Sequence, residues 1–309
     1  MRPGAVTQVT QVAQAARVAQ TAQAEPVRWR ERLDGRLGLW RSLLIYHSIP
    51  GRGAQLRRFY RRFVPPGGLA FDIGAHTGNR VDAFRALGAR VVALEPQPDF
   101  ARRLQHRHRA DPQVIARAEA AGRAVGHATL LASARTPTVS TLSPEFVHRA
   151  GATAGFRGVR WASGPAVPVT TLDALIARHG RPDFVKIDVE GYEHEVLLGL
   201  GAPLPALSFE FVPALADFAL ACVDRLEALA ARAAARSAEP AWPGGPIGGG
   251  YRYAVSLGET LTLLHGGGLA ADPMRKWLRA WPADGPSGDV HAWWVATGSG
   301  PSGRSAPRH

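Results

Sequence analysis

The chain has 309 residues, of which 46% are hydrophobic and 20% charged, an ordinary globular balance that excludes wholesale disorder and a collagen-like repeat. Its single cysteine, Cys222, excludes an internal disulfide and a cysteine-based zinc site, and Arg, Gln, Gly or Pro interrupts every apolar run before the roughly 18 residues a membrane span needs. The net charge of +12 rests on scattered arginines, with Lys186 and Lys276 the only lysines, so it predicts solubility and adhesion to polyanions at low salt without pointing to a specific nucleic-acid partner.

Residues 1–25 use mainly Ala, Gln, Val and Thr, too little apolar content to pack firmly, and are expected to form a low-complexity, disordered extension. Glutamines break the apolar core that a secretory signal would need, so a cytoplasmic location is expected. Over 26–63 the spacing predicts helices: Leu33, Leu37, Trp40 and Leu44 recur every three or four residues, as do Leu56, Phe59, Tyr60 and Phe63. Arg57, Arg58, Arg61 and Arg62 then fall on a solvated face. From residue 64 to 296 the period changes. Short apolar runs at Leu69–Ile73, Val91–Leu94, Val114–Ala116, Phe184–Val189 and Leu207–Phe211 alternate with helical stretches, which is the pattern of buried parallel strands in βαβ units. Residues 134–168, rich in Pro, Gly, Ser and Thr, read as an excursion over the active face. A long helix over 214–236, strands at Tyr251–Leu257 and Val290–Ala296 and a short helix at Pro273–Trp281 complete the domain, and 297–309 reads as a disordered tail.

Three segments carry chemistry. Asp72-Ile73-Gly74-Ala75-His76-Thr77-Gly78-Asn79 ends the first strand and opens a helix, with Gly74 and Gly78 for sharp backbone turns and Asn79 as a capping residue. A dinucleotide loop would read G-x-G-x-x-G; here Ala75 and His76 stand where the second glycine would admit a pyrophosphate, which argues against NAD and for a ligand with a zwitterionic amino-acid end, such as S-adenosyl-L-methionine. Glu95-Pro96 follows 21 residues after Gly74, at the end of the second strand, where an acid accepts hydrogen bonds from ribose hydroxyls. In Asp183–Glu193, Lys186, Asp188 and Glu190 alternate along a strand and so share a face, with Asp188 the nearest partner for a buried lysine.

Taken in order, these motifs resemble the FkbM family of S-adenosylmethionine-dependent methyltransferases. Ala120-Ala121-Gly122 with Gly126 and Leu130, Val169-Thr170-Thr171-Leu172-Asp173, Lys186-Ile187-Asp188-Val189-Glu190-Gly191, Phe209-Glu210 and Gly288-Asp289-Val290-His291-Ala292 extend the likeness over about residues 55–296. The resemblance implies an α/β, Rossmann-like class I methyltransferase fold. It would have a seven-stranded, mostly parallel sheet with the last strand antiparallel and helices on both faces. It also implies S-adenosyl-L-methionine as cofactor, held by Asp72, Gly74, Ala75, His76, Gly78, Asn79, Glu95, Pro96, Glu119, Ala120 and Asp188, and transfer to a hydroxyl of a small molecule, a natural product or saccharide. His76 departs from the family, which commonly has Asn there. A hydroxyl acceptor calls for a positioned base; Glu190 is the first choice, beside Asp188, with His194 in reserve. No metal is assigned, although Asp188, Glu190 and Glu210 are a carboxylate set of the kind Mg²⁺ prefers. An NAD(P)-dependent oxidoreductase on the same sheet and a non-catalytic binding protein are the alternatives. Neither membrane nor specific nucleic acid is an expected partner, and oligomeric state is open.

Overall fold

The computed structural model describes residues 51–296 apart from 134–135, 237–239, 243–244 and 259; the expectations for 1–25, for Leu33 to Leu44 and for the tail lie outside the described residues. The first described helix, α1 (Arg52–Tyr60), buries Leu56, Phe59 and Tyr60; Arg57, Arg58 and Arg61 are exposed as the spacing predicts, whereas Arg62 is half-buried with its guanidinium 4.9 Å from the Phe59 ring.

Alternation of strand and helix then builds the sheet. Strand β1 (Leu69–Ile73) pairs in parallel with β2 (Arg90–Leu94) across helix α2 (Asn79–Ala86), and β2 pairs with β3 (Val114–Arg117) across α3 (Pro98–His108). On the other flank β1 pairs with β7 (Phe184–Ile187), which pairs with β8 (Ala206–Phe211). The last strand, β11 (Gly288–Val295), runs antiparallel between β8 and β9 (Gly250–Leu257). A further edge strand, β10 (Leu264–Leu269), gives an eight-stranded order β10-β9-β11-β8-β7-β1-β2-β3 where seven strands are expected. Its Leu-His-Gly-Gly-Gly-Leu sequence has no apolar alternation to betray a strand.

The central strands β1, β2, β7 and β8 bury both faces, because residues i and i+1 point into different cores. Phe71, Ile73, Val185, Ile187, Leu207 and Phe209 pack with α5 (Leu172–His179), α6 (Glu193–Leu198), the long α7 (Ala216–Ala234) and α8 (Ala271–Ala280). Ala70, Val91, Ala93 and Phe184 pack with α1, α2 and Leu104 of α3. Thr171 caps α5 by accepting a hydrogen bond from Ala174 N at 3.1 Å, as the V-x-T-L-D segment implies.

The excursion expected over 134–168 does pass over the cavity at the carboxyl ends of the strands, through Thr138, Ser140, Thr141 and Leu142, and it holds one α-helix and one strand of a small second sheet. Residues Ala120–Ala121, Gly126–Ala132 and Ala162–Thr170 form a separate three-stranded sheet (β4, β5 and β6, order β4-β6-β5), and between β5 and β6 lies α4 (Pro144–Ala150), capped by Ser143. Pro and Gly suit this sheet because it is small and half exposed. Arg149 of α4 binds both oxygens of Asp217 at 2.6 and 2.7 Å, fastening the excursion to α7.

Among the described residues no helix is long and apolar enough to cross a membrane.

Candidate active site

At the carboxyl ends of β1, β2, β7 and β8 lies a cavity of ≈ 320 Å³, the place where ligands bind in open α/β sheets. Of the residues assigned to the cofactor, Asp72, Gly74, Ala75, His76, Asn79, Glu95, Pro96, Glu119, Ala120 and Asp188 line it, and so does Glu190.

The structure leaves Gly78 and His194 outside the lining. Gly78, at φ 85°, is itself the N-cap of α2, with Asn79 the first helical residue and no side-chain cap hydrogen bond, so the capping role expected of Asn79 falls to a glycine backbone. A Cβ on Gly78 would stand 2.6 Å from Leu104 Cδ1, so this glycine serves helix packing. His194 sits in the first turn of α6 among Glu195, Arg123, Arg225 and Asp224, and burial lowers its pKa. Among the aromatic residues Tyr192 reaches the cavity, Trp161 packs on Phe146 and Phe156, and Trp293 packs against the α1 core.

Gly74 has φ 86°, and a Cβ there would lie 1.9 Å from the Asp188 carbonyl oxygen. Its bareness lets the loop after β1 touch the loop after β7, locking the two sides of the crevice in register. Strand β7 ends at Ile187, two residues sooner than expected, so Asp188 and Glu190 lie on a loop and do not alternate along a strand. Glu190 has φ 55° and Gly191 φ 79°. This left-handed pair turns the chain under Phe146 of α4, whose ring would stand 2.2 Å from a Cβ at Gly191. Four non-glycine residues have positive φ among the described ones, and the two that line the cavity are His76 (φ 47°) and Glu190. Such a conformation costs about 1–3 kcal/mol and persists where the surroundings impose it. Asn and His tolerate it better than most residues, which accounts for His76 standing where Asn is common. The His76 ring packs on Phe100 at 4.1 Å.

Buried carboxyls dominate the electrostatics. Glu95, 3% exposed, accepts from His76 N and from Gln97 N, each at 2.8 Å, so it organises the glycine loop besides facing the cavity. Burial raises its pKa to about 7 against these two hydrogen bonds. Asp72, 2% exposed, is also raised to about 7 by burial, opposed by Arg80 and Lys186, and its Oδ2 has no hydrogen-bond partner among the described residues. Glu193, 2% exposed, is missing from the sequence assignments; its Oε1 accepts from Val189 N at 3.0 Å and Gly191 N at 3.3 Å and so pins the Glu190 loop to α6. Glu119 is held by Arg117.

The Asp188, Glu190 and Glu210 carboxylates each bring an oxygen within 4.8 Å of the others. Burial, then repulsion from neighbouring acids, Asp188 and Glu193 for Glu190 and Glu190, Asp188 and Glu193 for Glu210, drives both well above the usual carboxylate range. Lys186, 1% exposed, binds Asp188 at 3.1 Å, as expected, and also Asp289 at 2.9 Å from the far strand β11. Burial opposes its charge, but these two acids outweigh that and hold its pKa well up. Asp289 and Arg80 both line the cavity and neither stands out in the sequence, since nothing in their local pattern marks strands and helices that meet only after folding.

Parallel strands in the order 3-2-1, continued by 7 and 8 and closed by a reversed last strand slipped between its neighbours, with a carboxyl-lined crevice at the strand ends, define a Rossmann-like domain of the class I methyltransferase type. The family is narrower. Residues 72–212 match the family model described as Methyltransferase FkbM domain, and that segment of the chain is an FkbM methyltransferase domain. Solved structures that match include the O-methyltransferase from Bacillus cereus in complex with SAH (14% identity, 92% of this chain and 97% of that one, TM-score 0.37). Another is precorrin-6y C5,15-methyltransferase from Geobacter metallireducens (15%, 79% and 86%, TM-score 0.35). A third is the O-methyltransferase TomG from Streptomyces achromogenes, involved in tomaymycin synthesis, in complex with SAM (12%, 91% and 95%, TM-score 0.34). No curated protein matches the chain.

Proposed function

We propose that the chain transfers a methyl group from S-adenosyl-L-methionine to a hydroxyl of a small molecule, a natural product or saccharide, in the cytoplasm. One observation carries this reading: a single cavity has the glycine loop and Glu95 at one end and the close carboxyl pair Glu190 and Glu210 at the other. The residues at the first end fit the cofactor. The orphaned, buried Oδ2 of Asp72 suits the ammonium of an amino-acid end, and Glu95 keeps lone pairs for ribose hydroxyls beyond those its two backbone donors use. Glu119 and Ala120 extend the same wall. When bound, the cofactor supplies an electrophilic methyl group.

The chain's own part is to hold the acceptor oxygen in line, exclude water and receive a proton. Glu190 is the base. Its left-handed backbone turns it into the cavity, and its raised pKa makes its carboxylate a stronger acceptor for the hydroxyl proton. The hydroxyl proton leaves the acceptor oxygen and ends on the Glu190 carboxylate; the bound cofactor would supply the methyl group, its methyl–sulfur bond giving way to the carbon–oxygen bond. This reading needs no metal, so turnover is expected to withstand a chelator.

The test is a thermal-shift titration of the full chain with S-adenosyl-L-methionine, S-adenosylhomocysteine and NAD(P). A ligand at a hundred times its Kd stabilises by about 2.7 kcal/mol. A rise with both S-adenosyl ligands is expected; a rise with NAD(P) alone overturns the reading. For the base, Glu190→Gln should bind S-adenosylhomocysteine as wild type does and lose about 10²–10⁴ in turnover.

A further inference from the structure

Four carboxyl groups converge at the acceptor end of the cavity, Asp188, Glu190, Glu210 and Asp289, and one ammonium, Lys186, stands among them. The register shows that this lysine has two acids within its reach on the neighbouring strands. Lys186 is paired with Ser208 across β7 and β8, and Glu210 lies two residues on, hence on the same face. Asp289 is paired with Glu210 across β8 and β11, so those two side chains stand side by side, with Cβ atoms roughly 5 Å apart. The Lys186 ammonium passes over β8 to Asp289 at 2.9 Å, keeping Asp188 at 3.1 Å. Among the described residues Glu190 and Glu210 have no ion pair, and Glu210 Oε2 is buried without a hydrogen-bond partner.

Like charges directly opposite on paired strands are destabilising, so an acid at position 289 beside Glu210 needs a reason. We propose that Asp289 is a positioning residue: it draws the Lys186 ammonium onto β11 and so leaves Glu190 and Glu210 without a counter-cation, ready to take the acceptor's proton. Lys186 thus pairs with two of the four acids, Asp188 and Asp289, and leaves Glu190 and Glu210 without an ion pair among the described residues. Burial would raise the Asp289 pKa, and Lys186, with His291 and Arg80, overcomes that and lowers it. The groups facing Glu190 and Glu210 are each other, Asp188, Glu193 and Lys186. Arg80 of α2, Tyr60 of α1 and Asp72 of β1 surround the Asp188–Lys186–Asp289 side. The inference rests on the reading of Glu190 as the base.

The experiment is a carbon-13 NMR titration of the full chain labelled at glutamate carboxyl carbons, with signals assigned through Glu190→Gln and Glu210→Gln. In Asp289→Asn the lysine turns to the glutamates, and their midpoints should fall by about one pH unit, a tenfold loss of proton affinity. The same substitution in a Lys186→Met background should lower them much less. Asp289→Glu, which keeps the charge, should restore the wild-type midpoints. Unchanged midpoints in folded Asp289→Asn, or equal falls in the two backgrounds, would overturn the proposal; the second result would make Asp289 a direct charge that does not act through lysine.

Should Asp289→Asn fail to fold, the wild-type chain decides. It has only two lysines, Lys186 and Lys276, so hydrogen-bond couplings from nitrogen-15-labelled Lys186 can be read directly. Coupling to the Asp289 carboxyl carbon supports the assignment, and coupling to Glu210 refutes it. These measurements need no acceptor, so they fail independently of the functional reading, which falls if Glu190→Gln turns over at the wild-type rate.

Discussion

The two ends of the cavity use the same residue type under the same pressure and reach different states. At the β1–β2 end, burial raises Glu95 to about 7, but two backbone N–H groups donate to its carboxylate and hold it still. At the β7–β8 end, burial raises Glu190 and Glu210, neighbouring carboxylates add to it, and no backbone donor meets them among the described residues. A carboxylate given backbone donors is a structural acceptor; one set mainly among other acids, with the nearby lysine paired elsewhere, is a proton acceptor. The difference lies in the loops: the glycine loop offers its N–H groups to Glu95, whereas the Asp188–Gly191 loop gives its N–H groups to Glu193 and leaves Glu190 without them.

The contrast can be broken most severely at Gly74. Gly74→Ala drives a Cβ onto the Asp188 carbonyl and forces a left-handed alanine, so both ends should come apart. A loss of about 3 kcal/mol or more is expected in denaturant unfolding, together with loss of S-adenosylhomocysteine binding. Next is Glu95→Ala, which strands two loop N–H donors and should cost about 2 kcal/mol or more of stability and at least a hundredfold in cofactor affinity; Glu95→Gln should recover much of the stability and little of the affinity.

Asp72→Asn separates stability from function. A folded pKa of about 7 lies above the ordinary carboxylate value, so the folded chain binds more protons than the unfolded one between about pH 4 and 7. Stability from this group is therefore present at low pH and is lost as pH rises through that window. At pH 8 the asparagine variant should be more stable than wild type without ligand, by an amount on the order of a few kcal/mol, while binding S-adenosylhomocysteine at least tenfold more weakly. A variant no more stable than wild type at pH 8 would show that Arg80 and Lys186 already neutralise the acid. The smallest effect belongs to His194→Ala, outside the cavity: turnover and affinity within about twofold of wild type, and any larger loss in turnover would return His194 to the list of bases.

Much of this was legible in the chain itself. The apolar runs at 69–73, 91–94 and 207–211 became strands within a residue or so of their expected bounds because buried parallel strands need continuous apolar sequence. The ordered motifs pointed to the FkbM domain, and Asp72, Gly74, His76, Glu95, Asp188 and Glu190 do line one cavity. These are residues near strand ends, where local spacing and the topology of α/β sheets agree.

What only the tertiary structure decided depends on contacts between distant segments. Strand β10 lacks the apolar periodicity that reveals a strand, since its order comes from its pairing partner β9. The division of Lys186 between Asp188 and Asp289 spans 103 residues of sequence in one hydrogen bond. Glycine 74 could be read as a turn, but its closeness to the Asp188 carbonyl could not. Sequence determines the identity and order of the charged groups along the strands. Which of them keeps its proton is set by burial and by the nearest opposite charge, and both exist only once the strands have met.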